Sequence, residues 1–219
     1  MLAIVIGTCD KHSFLWNGWW HYFKKNFEPD CPVYFLTETK IPSFPVKTIN
    51  VNIPDVNLWT KRMRESIKQI PEKNIFWLCE DYFITTKFEK DEFENIYNFF
   101  IRINADSLRI SFVKCKYITT SDFAFQINKM LIEKLNQDSK YLISYLPSIW
   151  KKSFLLECLK VDESPWDSEI KGSQRIENKS YDIYSCLKLN WYKNACRQGK
   201  LTPEGEKLLN YESYGLKIK

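Results

Sequence analysis

Two adjacent carboxylates follow an apolar run in residues 74–83, NIFWLCEDYF. The run from Ile75 to Leu78 has the length and residue types of a strand buried in a sheet, and Glu80 and Asp81 come directly after it. Acids in such a position are costly unless they face a cation, a donor cluster or solvent. In open α/β sheets this end of a strand is where ligands bind, and a carboxylate there can hold Mg²⁺ or Mn²⁺ together with a diphosphate. The segment alone leaves two interpretations open, a metal–diphosphate site or an acidic strand end in a solvated loop.

The surrounding pattern predicts an α/β fold. In the first 80 residues, strands are predicted over 2–6, 33–37, 46–51 and 75–78, and helices over 13–27, with Ser13 as the N-cap, and over 58–70, with Asn57 as the N-cap. This alternation is typical of the nucleotide-binding half of an α/β enzyme.

The rest of the chain continues in the same way. Helices are predicted over 91–103, 128–135 and 147–159, with a terminal helix capped by Thr202, and strands over 108–113, 123–127 and 141–145. No linker, repeat or low-complexity tract interrupts the chain, which has only six glycines. We therefore predict a single domain over 1–219, with a nucleotide-binding half at about 1–85 and an acceptor-side half at about 86–219.

Charge and cysteine usage narrow the function classes. The net charge of +5 is dispersed and includes no block of five Lys or Arg residues, which suits anionic phosphates or an anionic membrane face and argues against a nucleic-acid partner. The seven cysteines are widely spaced and include no CxxC pair, which indicates reduced thiols in a cytoplasmic protein rather than disulfides or a zinc site. The early apolar run is too short for a signal peptide or a membrane span, so membrane attachment is expected to be peripheral at most.

Three further clusters are candidates for ligand binding. The loop Gly7-Thr8-Cys9-Asp10 offers backbone amides and a hydroxyl to a base or ribose, although it lacks the GxGxxG and GxxxxGK[ST] patterns. The basic residues at 61, 62 and 64 suit forked phosphate contacts or, alternatively, a solvated helix face. The segment 164–169, SPWDSE, sets a tryptophan beside two acids, which suits a sugar platform with a general base or, alternatively, a loop anchored by a buried tryptophan. The two histidines are too few for a Ser-His-Asp arrangement. His21 is expected at the surface, and His12 lies near the nucleotide loop, where the alternatives are a phosphate contact and no role, the latter being favoured.

Five segments together resemble a family. In chain order they are IVIGTCDK, WTKRMRESI, FWLCEDYF, LPSIWKKSFLL and ESPWDSEIKGSQR. Their order and spacing resemble those of the small GT-A-type glycosyltransferases of bacterial surface-polysaccharide clusters and large DNA viruses. The resemblance implies a Rossmann-like GT-A fold with a mostly parallel central sheet flanked by helices. It also implies a nucleoside-diphosphate sugar donor, with a UDP-sugar favoured, a Mn²⁺ or Mg²⁺ cofactor, and a glycan or lipid-linked acceptor.

The same resemblance implies a role for individual residues. Those expected to bind the nucleotide or the donor sugar are Thr8, Asp10, Lys11, Arg62 and Glu80. Asp81 is the expected metal ligand, although the adjacent acids depart from a strict DxD spacing and leave the choice between Glu80 and Asp81 open. Trp150 and Trp166 would face donor sugar and acceptor. Glu169, or else Asp167, would be the general base of an inverting transfer, whereas a retaining transfer needs no such base.

Two other functions remain compatible with the sequence. A sugar-nucleotide nucleotidyltransferase would also use an α/β fold with an acidic metal site, although the loop GTCDKHS lacks the glycine and basic residues usual there. A non-catalytic carbohydrate-binding module would ignore a nucleotide with Mn²⁺.

Overall fold

The computed structural model describes residues 1–27, 29–111, 119–127, 130–160, 162–187 and 190–210. Strands and helices alternate through the first part of the chain, close to the predicted positions. They are β1 (Leu2–Gly7), α1 (Trp16–Asn26), β2 (Val33–Thr37), β3 (Lys47–Asn50), α2 (Trp59–Lys68), β4 (Asn74–Cys79) and β5 (Tyr82–Ile84). Neither predicted N-cap is correct, because the first helix follows Leu15 rather than Ser13 and the second follows Leu58 rather than Asn57.

The second part contains the remaining elements, which include several short strands. They are α3 (Lys90–Arg102), β6 (Ser107–Ser111), β7 (Thr120–Ile127), β8 (Met130–Leu135), β9 (Ser148–Lys151), α4 (Lys152–Cys158), α5 (Pro165–Ile176), β10 (Ile183–Leu187), β11 (Tyr192–Asn194), β12 (Cys196–Arg197), β13 (Lys200–Leu201) and α6 (Pro203–Leu208).

Nine strands form one central sheet in the order β3-β2-β1-β4-β9-β6-β10-β8-β7. The first four are parallel, and β6 is parallel to β10. Strand β9 runs antiparallel to both β4 and β6, and β8 runs antiparallel to both of its neighbours. Most strands therefore point one way, so β1, β2 and β4 bring their carboxyl ends to a common edge of the sheet.

Helices cover both faces of this sheet. Alternate residues of β1 point to opposite sides: Ile4 and Ile6 pack with α1 and α3, whereas Ala3 and Val5 pack with α2, α4 and α5. Burial on both faces explains why β1 and β4 are continuous apolar runs. The last residue of β1 has to be glycine, because a Cβ on Gly7 would stand 2.3 Å from a ring carbon of Trp77.

Three predictions in the second half were wrong. Residues 130–135 form strand β8 rather than a helix, paired with β7 and β10, while positions 128–129 lie outside the described residues. Residues 141–145 form turns, and the strand in this region is β9. The helix predicted to start at Pro147 begins only at Lys152, because β9 fills the gap between β4 and β6. The last two residues of the strand predicted over 108–113 also lie outside the described residues.

The C-terminal segment packs beside the acidic strand end. Strand β11 pairs with β5, and the Ala195 N–H donates to the carbonyl of Asp81 at 2.7 Å. Helix α6 begins as predicted, with the Thr202 hydroxyl accepting from the Gly205 N–H. Within the described residues, no helix combines the length and the apolar character needed to cross a bilayer.

Candidate functional site

The candidate site is the edge where β1, β2 and β4 end side by side. Gly7 is in register with Leu36 of β2 and with Cys79 of β4, so the loops that follow the three strands are neighbours. The first polar residues of these loops are buried: Thr8 is 3% exposed, Glu38 6% and Glu80 4%. Buried polar groups at a strand end require partners from the protein or from a ligand.

Arg62 ties two of these loops together from helix α2. Its guanidinium forms an ion pair with the Glu38 carboxylate and donates to the carbonyls of Thr8 at 3.0 Å and Ile53 at 3.1 Å. The residue is only 1% exposed. Arg62, which was expected to contact the diphosphate, therefore holds the loop after β1 in place through these bonds.

Asp10 and Glu38 also link the loops after β1 and β2. The Asp10 N–H donates to Glu38 at 2.6 Å, and the Asp10 carboxylate accepts from the hydroxyl and N–H of Thr39 and from the Lys40 N–H. Burial alone would raise the pKa of Asp10, but the hydrogen bonds from Thr39 and Lys40 lower it overall. The Asp10 side chain therefore fixes the loop, while Thr8 keeps a buried hydroxyl without a hydrogen-bond partner among the described residues. Lys11 is exposed, with its ammonium end beside Gly199.

Glu80 faces a histidine. His12 Nδ1 lies 2.6 Å from Glu80 Oε1, and the Cys9 Sγ atom lies 3.9 Å from the same oxygen. On the other side of the ring, His12 Nε2 is 3.9 Å from Cys196 Sγ. Hydrogen bonds with Cys9 and Glu80 raise the pKa of His12 to about 11, so the imidazole is a cation at neutral pH.

Asp81 has a different environment from its neighbour. Its carboxylate is half-buried, and among the described residues no other side chain donates a hydrogen bond to it. Burial and then the Glu80 charge raise the pKa of Asp81 to about 7, against the opposing effect of His12. The Asp81 carboxylate thus has no direct ion pair among the described residues. Carboxylate oxygen is a ligand that Mn²⁺ and Mg²⁺ accept.

Glu169 reaches the same edge from helix α5. Its Oε1 atom accepts from the Tyr145 N–H at 2.7 Å and from the Ser144 hydroxyl at 3.0 Å, and burial raises its pKa. The Tyr145 carbonyl in turn lies 3.7 Å from Cys79 Sγ at the end of β4. The charges of both Asp81 and Glu169 act to raise the pKa of the Tyr82 phenol, after the larger effect of its burial. Asp81 and Glu169 therefore both lie near the carboxyl end of β4.

The SPWDSE segment is the first turn of α5, with Ser164 as its N-cap. Helical geometry sends Asp167 and Glu169 in different directions. Asp167 is half-exposed and pairs with Ser164 at 2.7 Å and with Lys171 at 3.2 Å, and these contacts lower its pKa. Trp166 is 63% exposed and lies one turn before Glu169.

Trp150 lies in the core instead. This residue of strand β9 is 1% exposed, and its ring packs between the rings of Tyr145 and Phe154. Its indole has no free face for a sugar, so the structure does not bring Trp150 together with Trp166 at the surface.

Sequence reasoning missed the partners contributed by loops. For His12 a phosphate contact was the less favoured alternative, and the side chains of Cys9 and Glu38 were given no role. The spacing of Cys9 and His12, three residues apart just after a buried strand, was the available signal. The pairing of Glu38 with Arg62 had no local signal, because 24 residues separate the two in the sequence.

Comparison with known proteins adds information about the fold. No family model matches the sequence, and no curated protein matches it. Among solved structures, Staphylococcus aureus TarS 1–349 in complex with UDP superposes with a TM-score of 0.60 at 10% identity, covering 100% of this chain and 67% of that one. The chain spans as little as 36% of a longer TarS structure.

Two other neighbours have nearly the size of this chain. CMP:2-keto-3-deoxy-manno-octonic acid synthetase complexed with CTP has a TM-score of 0.57 at 12% identity, covering 98% of this chain and 99% of that one. HddC from Yersinia pseudotuberculosis has a TM-score of 0.55 at 10% identity, with coverages of 94% and 96%. The predicted fold class is thereby confirmed: the chain has the Rossmann-like α/β fold shared by GT-A glycosyltransferases and nucleotidyltransferases.

Proposed function

We propose that this chain is a glycosyltransferase that moves a sugar from a nucleoside-diphosphate sugar to a hydroxyl of a glycan or glycolipid acceptor. The observation that carries the proposal is the convergence of Thr8, Asp81 and Glu169 at one edge of the sheet. It is supported by the fold, which the chain shares with the UDP-complexed glycosyltransferase TarS.

The donor occupies the loops after β1 and β4 in this proposal. The unpartnered Thr8 hydroxyl is available to a ribose or base, and Lys11 is exposed beside the same loop. Arg62 acts indirectly, because its bonds to Glu38 and to the Thr8 carbonyl hold the loop that meets the nucleotide. UDP is the favoured nucleotide because it is the one that TarS holds.

Asp81 is the proposed ligand for Mn²⁺ or Mg²⁺, since no side chain in the described part of the chain donates a hydrogen bond to its half-buried carboxylate. A divalent cation bound there would supply positive charge to the departing diphosphate. Glu80 is less suited to this role than Asp81, because His12 already occupies its Oε1 atom. The His12 imidazolium instead adds a positive charge at the same edge of the sheet.

Glu169 and Trp166 form the proposed acceptor side. Both hydrogen bonds to Glu169 within the described residues end on Oε1, which leaves Oε2 to take a proton from the attacking hydroxyl. The raised pKa of Glu169 suits a general base better than an ordinary surface carboxylate. The exposed indole of Trp166, one turn away, offers a face on which an acceptor sugar can stack.

A panel of nucleotides tests the donor assignment. Thermal unfolding is measured with UDP, GDP, dTDP, CDP and CMP, each with Mn²⁺ and with EDTA, and hits are followed by a transfer assay with the corresponding nucleotide sugars. At a hundredfold excess over Kd, a bound nucleotide stabilises the native state by about 2.7 kcal/mol. Absence of a shift with every nucleotide in the presence of Mn²⁺ contradicts the proposal.

The nucleotidyltransferase function is the second candidate. CMP:2-keto-3-deoxy-manno-octonic acid synthetase matches this chain over 98% of its length and is itself matched over 99%, whereas the TarS chains extend well beyond it. The two functions differ in the nucleotide consumed. Release of pyrophosphate from CTP or UTP in the presence of a sugar would favour this second function, whereas release of a nucleoside diphosphate from a nucleotide sugar favours transfer.

A further inference from the structure

A single turn of chain brings a thiol and an imidazole together beside the acidic strand end. Cys9 leaves β1 in an extended conformation, and residues Asp10–Leu15 then form a tight helical turn. The His12 N–H donates to the Cys9 carbonyl at 3.1 Å, which closes the turn. The side chains of Cys9 and His12 thereby reach the same side of the loop, where Glu80 meets them from the end of β4.

The three ligand-type atoms lie within 4.8 Å of one another. The distance from Cys9 Sγ to Glu80 Oε1 is 3.9 Å, and His12 Nδ1 is 2.6 Å from the same oxygen. Tetrahedral Zn²⁺, with bonds of about 2.0–2.3 Å, holds its ligand atoms roughly 3–4 Å apart. The Cys9–Glu80 distance already falls in this range, whereas the His12–Glu80 contact has to open for such an ion to enter.

We propose that Cys9, His12 and Glu80 form a binding site for Zn²⁺, with the fourth position open. A thiolate, an imidazole and a carboxylate form a ligand set that suits zinc, whereas Mg²⁺ and Mn²⁺ prefer oxygen ligands. Cys196 contacts the opposite ring nitrogen, Nε2, and so supports the ring from outside the ligand set.

Protons leave when the metal binds. The proton between His12 Nδ1 and Glu80 is displaced, and the Cys9 thiol gives up its proton to become a thiolate. Both sulfur and nitrogen then direct an electron pair at Zn²⁺, and no redox step is involved. The wide cysteine spacing and the absence of a CxxC pair disfavoured zinc at the sequence level, because Glu80 joins Cys9 and His12 only in the folded chain.

This site does not depend on the proposed function. Zn²⁺ binding requires neither a nucleotide nor Asp81, which is absent from the ligand set. A bound Zn²⁺ would supply the positive charge that the His12 imidazolium supplies in its absence, so failure of the zinc site leaves the glycosyltransferase proposal untouched, and the reverse also holds.

The test uses Co²⁺ as a visible substitute for zinc. Protein stripped with EDTA is titrated anaerobically with Co²⁺, and absorption is followed in the near-ultraviolet, where thiolate-to-cobalt charge transfer appears, and in the visible region. We expect one equivalent to bind with a charge-transfer band that Zn²⁺ bleaches. Cys9→Ser should lose the band and bind Co²⁺ at least tenfold more weakly, and His12→Gln should also weaken binding.

One variant serves as a control. Cys31→Ser alters a half-buried thiol at the opposite edge of the sheet and should keep the band. Absence of a band in the parent protein, or its survival in Cys9→Ser, overturns the site.

A second measurement covers the case in which a variant fails to fold. Alkylation of the parent protein, read by peptide mass spectrometry, should be slowed at Cys9 by Zn²⁺ and unchanged at Cys31. Equal alkylation of Cys9 with and without Zn²⁺ also overturns the proposal.

Discussion

His12 Nδ1 and Glu80 Oε1 lie 2.6 Å apart, and this contact separates the roles of two carboxylates that are adjacent in the sequence. Glu80 is buried and has a cationic partner, whereas Asp81 is half-buried and has none among the described side chains. Neighbouring acids placed in unequal environments commonly take different tasks in one site. Here the difference leaves Asp81 free for an added cation.

The His12–Glu80 pair should make the free energy of unfolding fall as the pH rises into the alkaline range. The folded-state pKa of His12 is about 11, above the ordinary value of 6.5, so the native state holds a proton that the unfolded chain releases. The stabilisation is complete below pH 6.5 and declines as the pH rises toward 11. We expect the urea midpoint of EDTA-treated protein to fall between pH 7.5 and 10, and the fall to be smaller in His12→Gln.

His21 provides the matched control, because it is the only other histidine in the chain. His21→Gln should keep the full decline of the parent protein over the same pH range. Identical slopes for His12→Gln and the parent would show that the pair does not hold the proton.

Asp81→Asn should separate metal binding from stability. Because burial raises the pKa of Asp81 from 3.8 to about 7, the native state loses stability as the pH rises through this interval. The amide has no such loss, so in EDTA we expect a higher unfolding temperature than the parent at pH 8 and a smaller difference at pH 5. Calorimetric titration with UDP and Mn²⁺ should show affinity reduced at least tenfold, about 1.4 kcal/mol.

Unchanged metal binding in Asp81→Asn would contradict the role assigned to Asp81. If Asp81→Asn binds Mn²⁺ and UDP as the parent does, Asp81 is not the ligand. Asp91→Asn, on the first turn of the remote helix α3, should change neither quantity.

Arg62→Met should destabilise the fold strongly. The substitution leaves the Glu38 carboxylate buried without its cation and removes two hydrogen bonds to backbone carbonyls. Loss of one partner of a buried ion pair costs about 3–5 kcal/mol of unfolding free energy. Urea unfolding followed by circular dichroism measures it, and Lys61→Met, an exposed neighbour on the same helix, should stay within about 0.5 kcal/mol of the parent.

A double variant identifies the cause. Adding Glu38→Gln to Arg62→Met removes the unpaired charge but keeps an oxygen that accepts from the Asp10 N–H. Part of the lost stability should return. A double variant less stable than Arg62→Met would mean that the charge of Glu38 is not the source of the cost.

The strands that end at the site could be predicted because the local sequence shows that they are buried. Strands β1 and β4 are covered on both faces and so appear as unbroken apolar runs, with the acids after β4 marking the strand end. Residues 130–135 were misassigned because a short apolar run fits a helix or a strand, and only pairing with β7 and β10 decides.

The site residues divide in the same way. The position of Asp81 follows from its strand, but the contact of Glu80 with His12 depends on a loop path set by tertiary packing. For α5 the information was present locally: Ser164 followed by Pro165 is an N-cap with proline at the first helical position. That signal predicts a helix and thereby separates Glu169 from Asp167.

Glu169→Gln should slow sugar transfer without weakening the binding of the donor nucleotide. If Glu169 takes the proton of the acceptor hydroxyl, the amide should reduce the transfer rate by about 10²–10⁴. The Tyr145 N–H and Ser144 hydroxyl can still donate to the remaining amide oxygen, so the fold and UDP affinity should be unchanged. Asp167→Asn is the matched control, because its carboxylate is half-exposed and pairs with Ser164 and Lys171, and it should keep activity within a few-fold. The measurement is a transfer assay paired with a UDP titration on each variant. Loss of both transfer and UDP binding in Glu169→Gln would assign the residue to structure, and full activity would indicate a retaining transfer that needs no base.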